Sequence, residues 1–140
     1  MRILLVDDDP AIRKLCATAL MRLGHEVVPC RNGREALGQL HEGFDLALCD
    51  IGLPDINGID VIRAIKVHAP GLPVIVISAL DQAEWGKKAS EAGADHFLPK
   101  PLRLSALRDE VAMAARAQGH LMVCLQDPDD QHRAALQGAA

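Results

Sequence analysis

The chain contains no tyrosine, and among its 140 residues only two are phenylalanine and one is tryptophan. No aromatic side chain here can offer a partner a hydroxyl. The four cysteines, Cys16, Cys30, Cys49 and Cys124, are scattered, with no CxxC pair and no metal-type spacing. That argues against a zinc module or a disulfide scaffold, and reads as reduced, buried thiols in a cytosolic compartment. No run of lysine and arginine offsets the net charge of −4, so direct nucleic-acid binding by this domain is not expected. No apolar stretch reaches the ~18 residues needed to span a bilayer. Met1 leads almost at once into a strand, which leaves no room for a signal peptide. Neither a Walker-A nor a GxGxxG sequence is present, which removes the common nucleotide-binding signatures.

What remains is 49% hydrophobic and 24% charged, ordinary globular material at the size of one domain. Short β-branched runs alternate with amphipathic segments. Ile3–Val6 is apolar at every position, as in a strand buried on both faces. Asp9 and Pro10 then predict a helix N-cap and first turn, with Ile12, Leu15, Cys16, Ala19 and Leu23 inward and Gly24 as the stop. Glu26–Pro29 reads as a second strand, and Asn32 with Glu35 as a capping box opening a helix that ends at Gly43. The third strand is predicted over Asp45–Asp50, followed by a helix opened by Asn57 with Ile59, Ile62 and Ile65 inward. Leu72–Ser78 is the fourth strand; Asp81 and Glu84 open a fourth helix that closes near Gly93 and has few large apolar residues to anchor it. A fifth strand in "DHFLPK" and a helix carrying Leu104, Leu107, Val111 and Ala115 complete five βα units. Such alternation predicts an α/β domain with a parallel sheet and helices on both faces. The domain is expected over residues 1–118, with 119–140 as a tail or linker, the possible start of a connection to an output domain.

Ligands of an open parallel sheet bind at the carboxyl ends of its strands. There the sequence places Asp7 and Asp8 after the first strand, Asp50 after the third, Ser78 at the end of the fourth and Lys100 after the fifth. Clustered carboxylates suit a hard cation such as Mg²⁺, and a carboxylate can also be a nucleophile toward phosphorus. An ammonium and a hydroxyl beside them would neutralise and hydrogen-bond phosphoryl oxygens.

Together "LLVDDDP", "LALCDIGLPDINGIDVI", "VIVISAL" and "FLPKP" resemble the receiver domain of two-component response regulators, of the chemotaxis-regulator kind, over residues 2 to about 116. The resemblance implies a flavodoxin-like (βα)5 fold with strand order 2-1-3-4-5. By position it implies Asp50 as phosphoacceptor, Asp7 and Asp8 as the Mg²⁺-binding pair with the Gly52 carbonyl, and Ser78 and Phe97 as switch residues. It also implies catalytic roles for Lys100 and Ser78, and a cis bond at Lys100–Pro101. Asp9 is left as the helix cap. A sensor histidine kinase or histidine phosphotransfer protein would be the phosphodonor, and the face of helix four, strand five and helix five the output surface and the candidate homodimer contact. The cysteine pattern and the lack of a spanning apolar run carry the expectation of a cytoplasmic location and no membrane partner. Three positions depart from the usual pattern: a small Gly52 and an apolar Leu80 along the path of hydrolysing water, and Pro99 before the lysine.

Two other readings compete. Asp7 and Asp9 also satisfy the DxD of haloacid-dehalogenase-type phosphatases, but that family needs a late acidic pair near the sheet, and the "DPDD" of the tail follows no convincing strand. A pseudo-receiver that binds partners without phosphorylation would normally show an eroded acid pocket, which is intact here.

Overall fold

The computed structural model describes residues 1–117. The expected tail and Cys124 lie outside the described residues. Five strands, β1 (Arg2–Val6), β2 (Glu26–Cys30), β3 (Leu46–Cys49), β4 (Val74–Ser78) and β5 (His96–Pro99), form one parallel sheet in the order β2-β1-β3-β4-β5. Between and after them run α1 (Pro10–Arg22), α2 (Gly33–Gln39), α3 (Gly58–His68), α4 (Gln82–Ala92) and α5 (Leu104–Ala117). This is the flavodoxin-like arrangement that the resemblance implies.

The uniformly apolar strands are explained by a two-sided core. Successive strand residues point to opposite faces. Leu4, Val6, Ala47, Cys49, Val74 and Val76 therefore pack under α2, α3 and α4. Ile3, Leu5, Leu46, Leu48, Ile75 and Ile77 pack under α1 and α5. Both edges of the sheet carry a proline, Pro29 in β2 and Pro99 in β5. An edge strand has an unpaired side on which a missing N–H costs little, which is how the unusual Pro99 is accommodated.

All four expected caps form. Asp9 accepts the Ala11 N–H at 2.9 Å, Asn32 the Glu35 N–H at 2.8 Å, Asn57 the Ile59 N–H at 2.9 Å and Asp81 the Ala83 N–H at 3.0 Å. The expected stops Gly24, Gly43 and Gly93 all take positive φ. The capping box is altered: the Glu35 carboxylate takes the Arg31 N–H at 3.0 Å and pairs with Arg31 Nε at 2.6 Å, so the second half closes one residue early.

Two inward assignments do not hold. Leu15 is 44% exposed, because the buried stripe of α1 runs through Cys16, Ala17 and Leu20, one residue around the helix from it. Leu104, 36% exposed, is the first residue of α5 and precedes the Leu107–Val111–Ala115 stripe. β3 also begins later than expected, because Asp45 spends its carboxylate on the Arg2 N–H at 2.8 Å. As expected, α4 is thinly anchored; its fully buried residues are Ala89 and Ala92.

Candidate functional site

β1 and β3 are neighbours, so their carboxyl ends deliver Asp7 and Asp50 side by side. The Asp50 N–H donates to the Val6 carbonyl at 2.9 Å, and the Asp7 N–H to the Cys30 carbonyl at 3.1 Å. Asp7 and Asp50 are buried, at 2% and 5% exposure, while Asp8 is open to solvent. One carboxylate oxygen from each of the three lies within 4.8 Å of the others. From β5, Lys100 reaches across with Nζ at 3.0 Å from Asp7 Oδ2 and 3.0 Å from Asp50 Oδ2.

The remaining oxygens are held by backbone. Asp7 Oδ1 accepts the Asp9 N–H at 2.9 Å, and Asp50 Oδ1 accepts the Gly52 N–H at 3.0 Å. Ser78 is 1% exposed; its Oγ accepts the Leu80 N–H at 3.1 Å, and its carbonyl accepts the Lys100 N–H at 2.9 Å. The Lys100–Pro101 peptide is cis. Asp7, Asp8, Asp50 and Lys100 are thus brought together, with Gly52 and Ser78 adjoining. Phe97 stands apart, half-buried beneath α4 beside a groove of about 280 Å³ that Gln82, Gly86 and His96 also line. Asp9, the second aspartate of the DxD reading, is committed to the α1 cap and lies outside the cluster.

The electrostatics follow from burial. Desolvation pushes the Asp7 carboxyl above its usual range and the nearby Asp50 charge adds to this, outweighing the Asp9 N–H and Lys100. Desolvation pulls Lys100 down, but hydrogen bonds and charge from Asp50 and Asp7 outweigh it, so its ammonium is held above the ordinary lysine value. Three carboxylates face one ammonium, with the Arg13 guanidinium on the Asp7 carbonyl beside them, so negative charge is locally in surplus. An all-oxygen donor set with that surplus fits Mg²⁺, which favours a few carboxylates plus water and phosphate, and suits soft, thiolate-seeking metals poorly.

The neighbouring thiols add no chemistry. Cys16, Cys30 and Cys49 are free and buried. Desolvation pushes Cys16 and Cys30 to about 11 and Cys49 further still, so they stay protonated at neutral pH.

Three residues that shape the site escape sequence reasoning. At Gly58 an added Cβ would fall on Ile51 Cα and within 2.6 Å of the Asp50 carbonyl oxygen, so only glycine lets α3 start against the loop that follows Asp50. Its place directly after an Asn cap was the available signal. Arg13 donates from Nη1 to the Asp7 carbonyl at 2.8 Å. Asp55 binds the start of α2, more than twenty residues away in sequence. Neither of the last two announces its partner in the sequence.

A model of the response regulator receiver domain matches residues 3–112. The chain is 40% identical over 116 residues to a Thermotoga maritima protein named cyclic di-GMP phosphodiesterase, covering 83% of this chain and 31% of that one. It is 41% identical over 114 residues to the response regulator protein PilR of Pseudomonas aeruginosa, covering 81% of this chain and 26% of that protein. The chain therefore spans only between 26% and 31% of the length of these relatives. A CheY-like receiver domain protein of Methanospirillum hungatei aligns with a TM-score of 0.80 at 31% identity, over 84% of this chain and 95% of that one. Receiver domains are signalling modules of two-component systems, switched by aspartate phosphorylation with Mg²⁺. Among the described residues no helix is long and apolar enough to cross a membrane. The match runs from β1 into α5, through every strand of the sheet, and the chain belongs to the response regulator receiver domain family.

Proposed function

We propose that this chain is a phosphorylation-activated switch in which Asp50 accepts a phosphoryl group from the phosphohistidine of a sensor histidine kinase or phosphotransfer protein. The observation that carries the reading is Lys100 Nζ at 3.0 Å from both Asp7 and Asp50, a half-buried cation poised where phosphoryl charge would arrive. An Asp50 carboxylate oxygen attacks phosphorus, the P–N bond breaks, and its electron pair leaves with the imidazole of the donor. Lys100 neutralises charge on the transferred group, and Asp7 and Asp50 keep it protonated. Asp7, Asp8, Asp50 and the Gly52 carbonyl would hold Mg²⁺. When bound, that ion supplies further charge neutralisation at the phosphoryl oxygens.

Ser78 connects this chemistry to α4. Its hydroxyl receives the Leu80 N–H, one residue before the α4 cap Asp81. Drawing the hydroxyl toward a phosphoryl oxygen on Asp50 would give up that bond and loosen the entry to a helix whose buried residues are two alanines, Ala89 and Ala92. Phe97, packed beneath the same helix, would follow. A face of α4, β5 and α5 then changes for a partner, including a second copy of this chain. Residues 1–118 form the switch, and 119–140 a tail or linker outside it. The setting is cytoplasmic, with neither nucleic acid nor membrane as a direct partner of this domain.

The test is incubation with acetyl phosphate, with and without Mg²⁺, read by intact mass and size exclusion. A Mg²⁺-dependent gain of one phosphate supports the switch, and a concurrent shift to dimer identifies self-association as its output. No gain with acetyl phosphate or with a phosphorylated histidine donor contradicts it.

A further inference from the structure

Asp55 lies in the same loop as Gly52, between β3 and α3, yet its carboxylate serves another element. Oδ1 accepts the Gly33 N–H at 2.9 Å and Oδ2 the Arg34 N–H at 2.9 Å, two of the open donors at the start of α2. Oδ1 also accepts the Ile56 N–H at 2.9 Å. Helix α2 already has a cap of its own in Asn32. The second cap, arriving from a distant loop, ties the two elements together.

Gly33 closes the joint. A Cβ there would meet Val61 Cγ2 at 3.0 Å and Ile56 Cβ at 3.1 Å, so the first turn of α2 rests directly on the loop and on α3. At the root of the loop, the Gly58 and Leu53 N–H groups both donate to the Ile51 carbonyl, at 3.0 and 2.9 Å. Gly52 itself is exposed, and its N–H goes to Asp50 Oδ1. The loop is thus fixed at its root by Gly58 and at its crest by Asp55. Desolvation pushes the Asp55 carboxyl up, but the Gly33, Arg34 and Ile56 N–H groups outweigh it and hold it below the usual range.

We propose that Asp55 is a positioning residue for the cation and phosphoacceptor site: by clamping the loop crest to α2, it sets the Gly52 backbone beside Asp50 before any ligand arrives. This rests on the reading of Asp7, Asp8, Asp50 and Gly52 as the Mg²⁺ site. Partners that orient metal-ligand groups from behind typically contribute about tenfold or more to metal affinity.

The test is Mg²⁺ calorimetry on the full chain and its Asp55→Ala and Asp55→Asn variants, with amide exchange at Gly33 and Arg34 followed by NMR. Asp55→Ala is expected to weaken Mg²⁺ binding about tenfold, with Asp55→Asn, which keeps one acceptor, between it and the parent. Mg²⁺ should slow exchange at Gly33 and Arg34 in the parent and not in Asp55→Ala. A lower melting temperature with unchanged Mg²⁺ affinity would mean an ordinary helix cap and overturns the proposal. Equal weakening in both variants would mean lost charge alone, and overturns it too. Should Asp55→Ala fail to fold, Asp55→Asn against the parent decides on the same readouts, unchanged affinity being the contrary result. A parent that binds no Mg²⁺ overturns the site assignment itself, whereas a parent that binds it beside unaffected variants overturns only this clamp.

Discussion

Aspartates stand at both ends of the sheet, and the two ends treat them differently. At the amino end, Asp45 accepts the Arg2 N–H at 2.8 Å, and Asp95 accepts the Val74 N–H at 2.8 Å and pairs with Lys66 at 3.2 Å. Asp95 remains 46% exposed, so water shares the solvation of its charge. At the carboxyl end Asp7 and Asp50 are almost fully buried and share one ammonium, with Asp8 close by. Acids that serve only the fold are matched to donors. Those at the carboxyl end are left with a charge surplus that folding alone would not favour, because uncompensated buried charge is destabilising. That asymmetry marks the functional end more sharply than composition does.

The comparison breaks most completely at Asp50. Asp50→Asn keeps size and most hydrogen bonding but removes the nucleophile, so labelling by acetyl phosphate should vanish while the fold persists by circular dichroism. Lys100→Met should slow labelling by about a hundredfold, the usual scale for removing one preorganised charge-stabilising group. Stopped labelling kinetics at saturating Mg²⁺ would measure it.

The amino end should behave in the opposite sense. Asp95→Ala leaves the Val74 N–H without its acceptor and should cost about 1–3 kcal/mol in denaturant unfolding, with the labelling rate unchanged. A loss of labelling there would erase the distinction between the two ends.

Asp7 gives the smallest and most diagnostic effect. Its folded-state pKa is raised, so its favourable contribution is complete at low pH and is lost as pH rises through the folded value. Without Mg²⁺, stability should therefore fall as pH climbs through that range. Asp7→Asn should remove the dependence and raise stability at neutral pH, a gain trimmed by the loss of one partner for Lys100. Mg²⁺ should raise the melting temperature of the parent and not of Asp7→Asn.

Much of this was legible beforehand because it is local. Strand runs, caps and glycine stops act over a few residues, and every expected element is present. The cluster of Asp7, Asp8, Asp50 and Lys100 was legible because a parallel sheet sends all its strand ends to one rim. Leu15 misled because an apolar residue on a short helix can sit one position off the buried stripe. Arg13 and Asp55 were hidden for a different reason: each acts through a backbone group of another segment, and such partners carry no side-chain signature.

The most direct measurement is to trap the acyl phosphate. Protein treated with acetyl phosphate and Mg²⁺ is reduced with borohydride, digested, and mapped for aspartate converted to homoserine. The account predicts conversion at position 50 alone, lost when Mg²⁺ is chelated. Conversion at Asp7, at Asp95 or at several acids, or conversion indifferent to Mg²⁺, would contradict it.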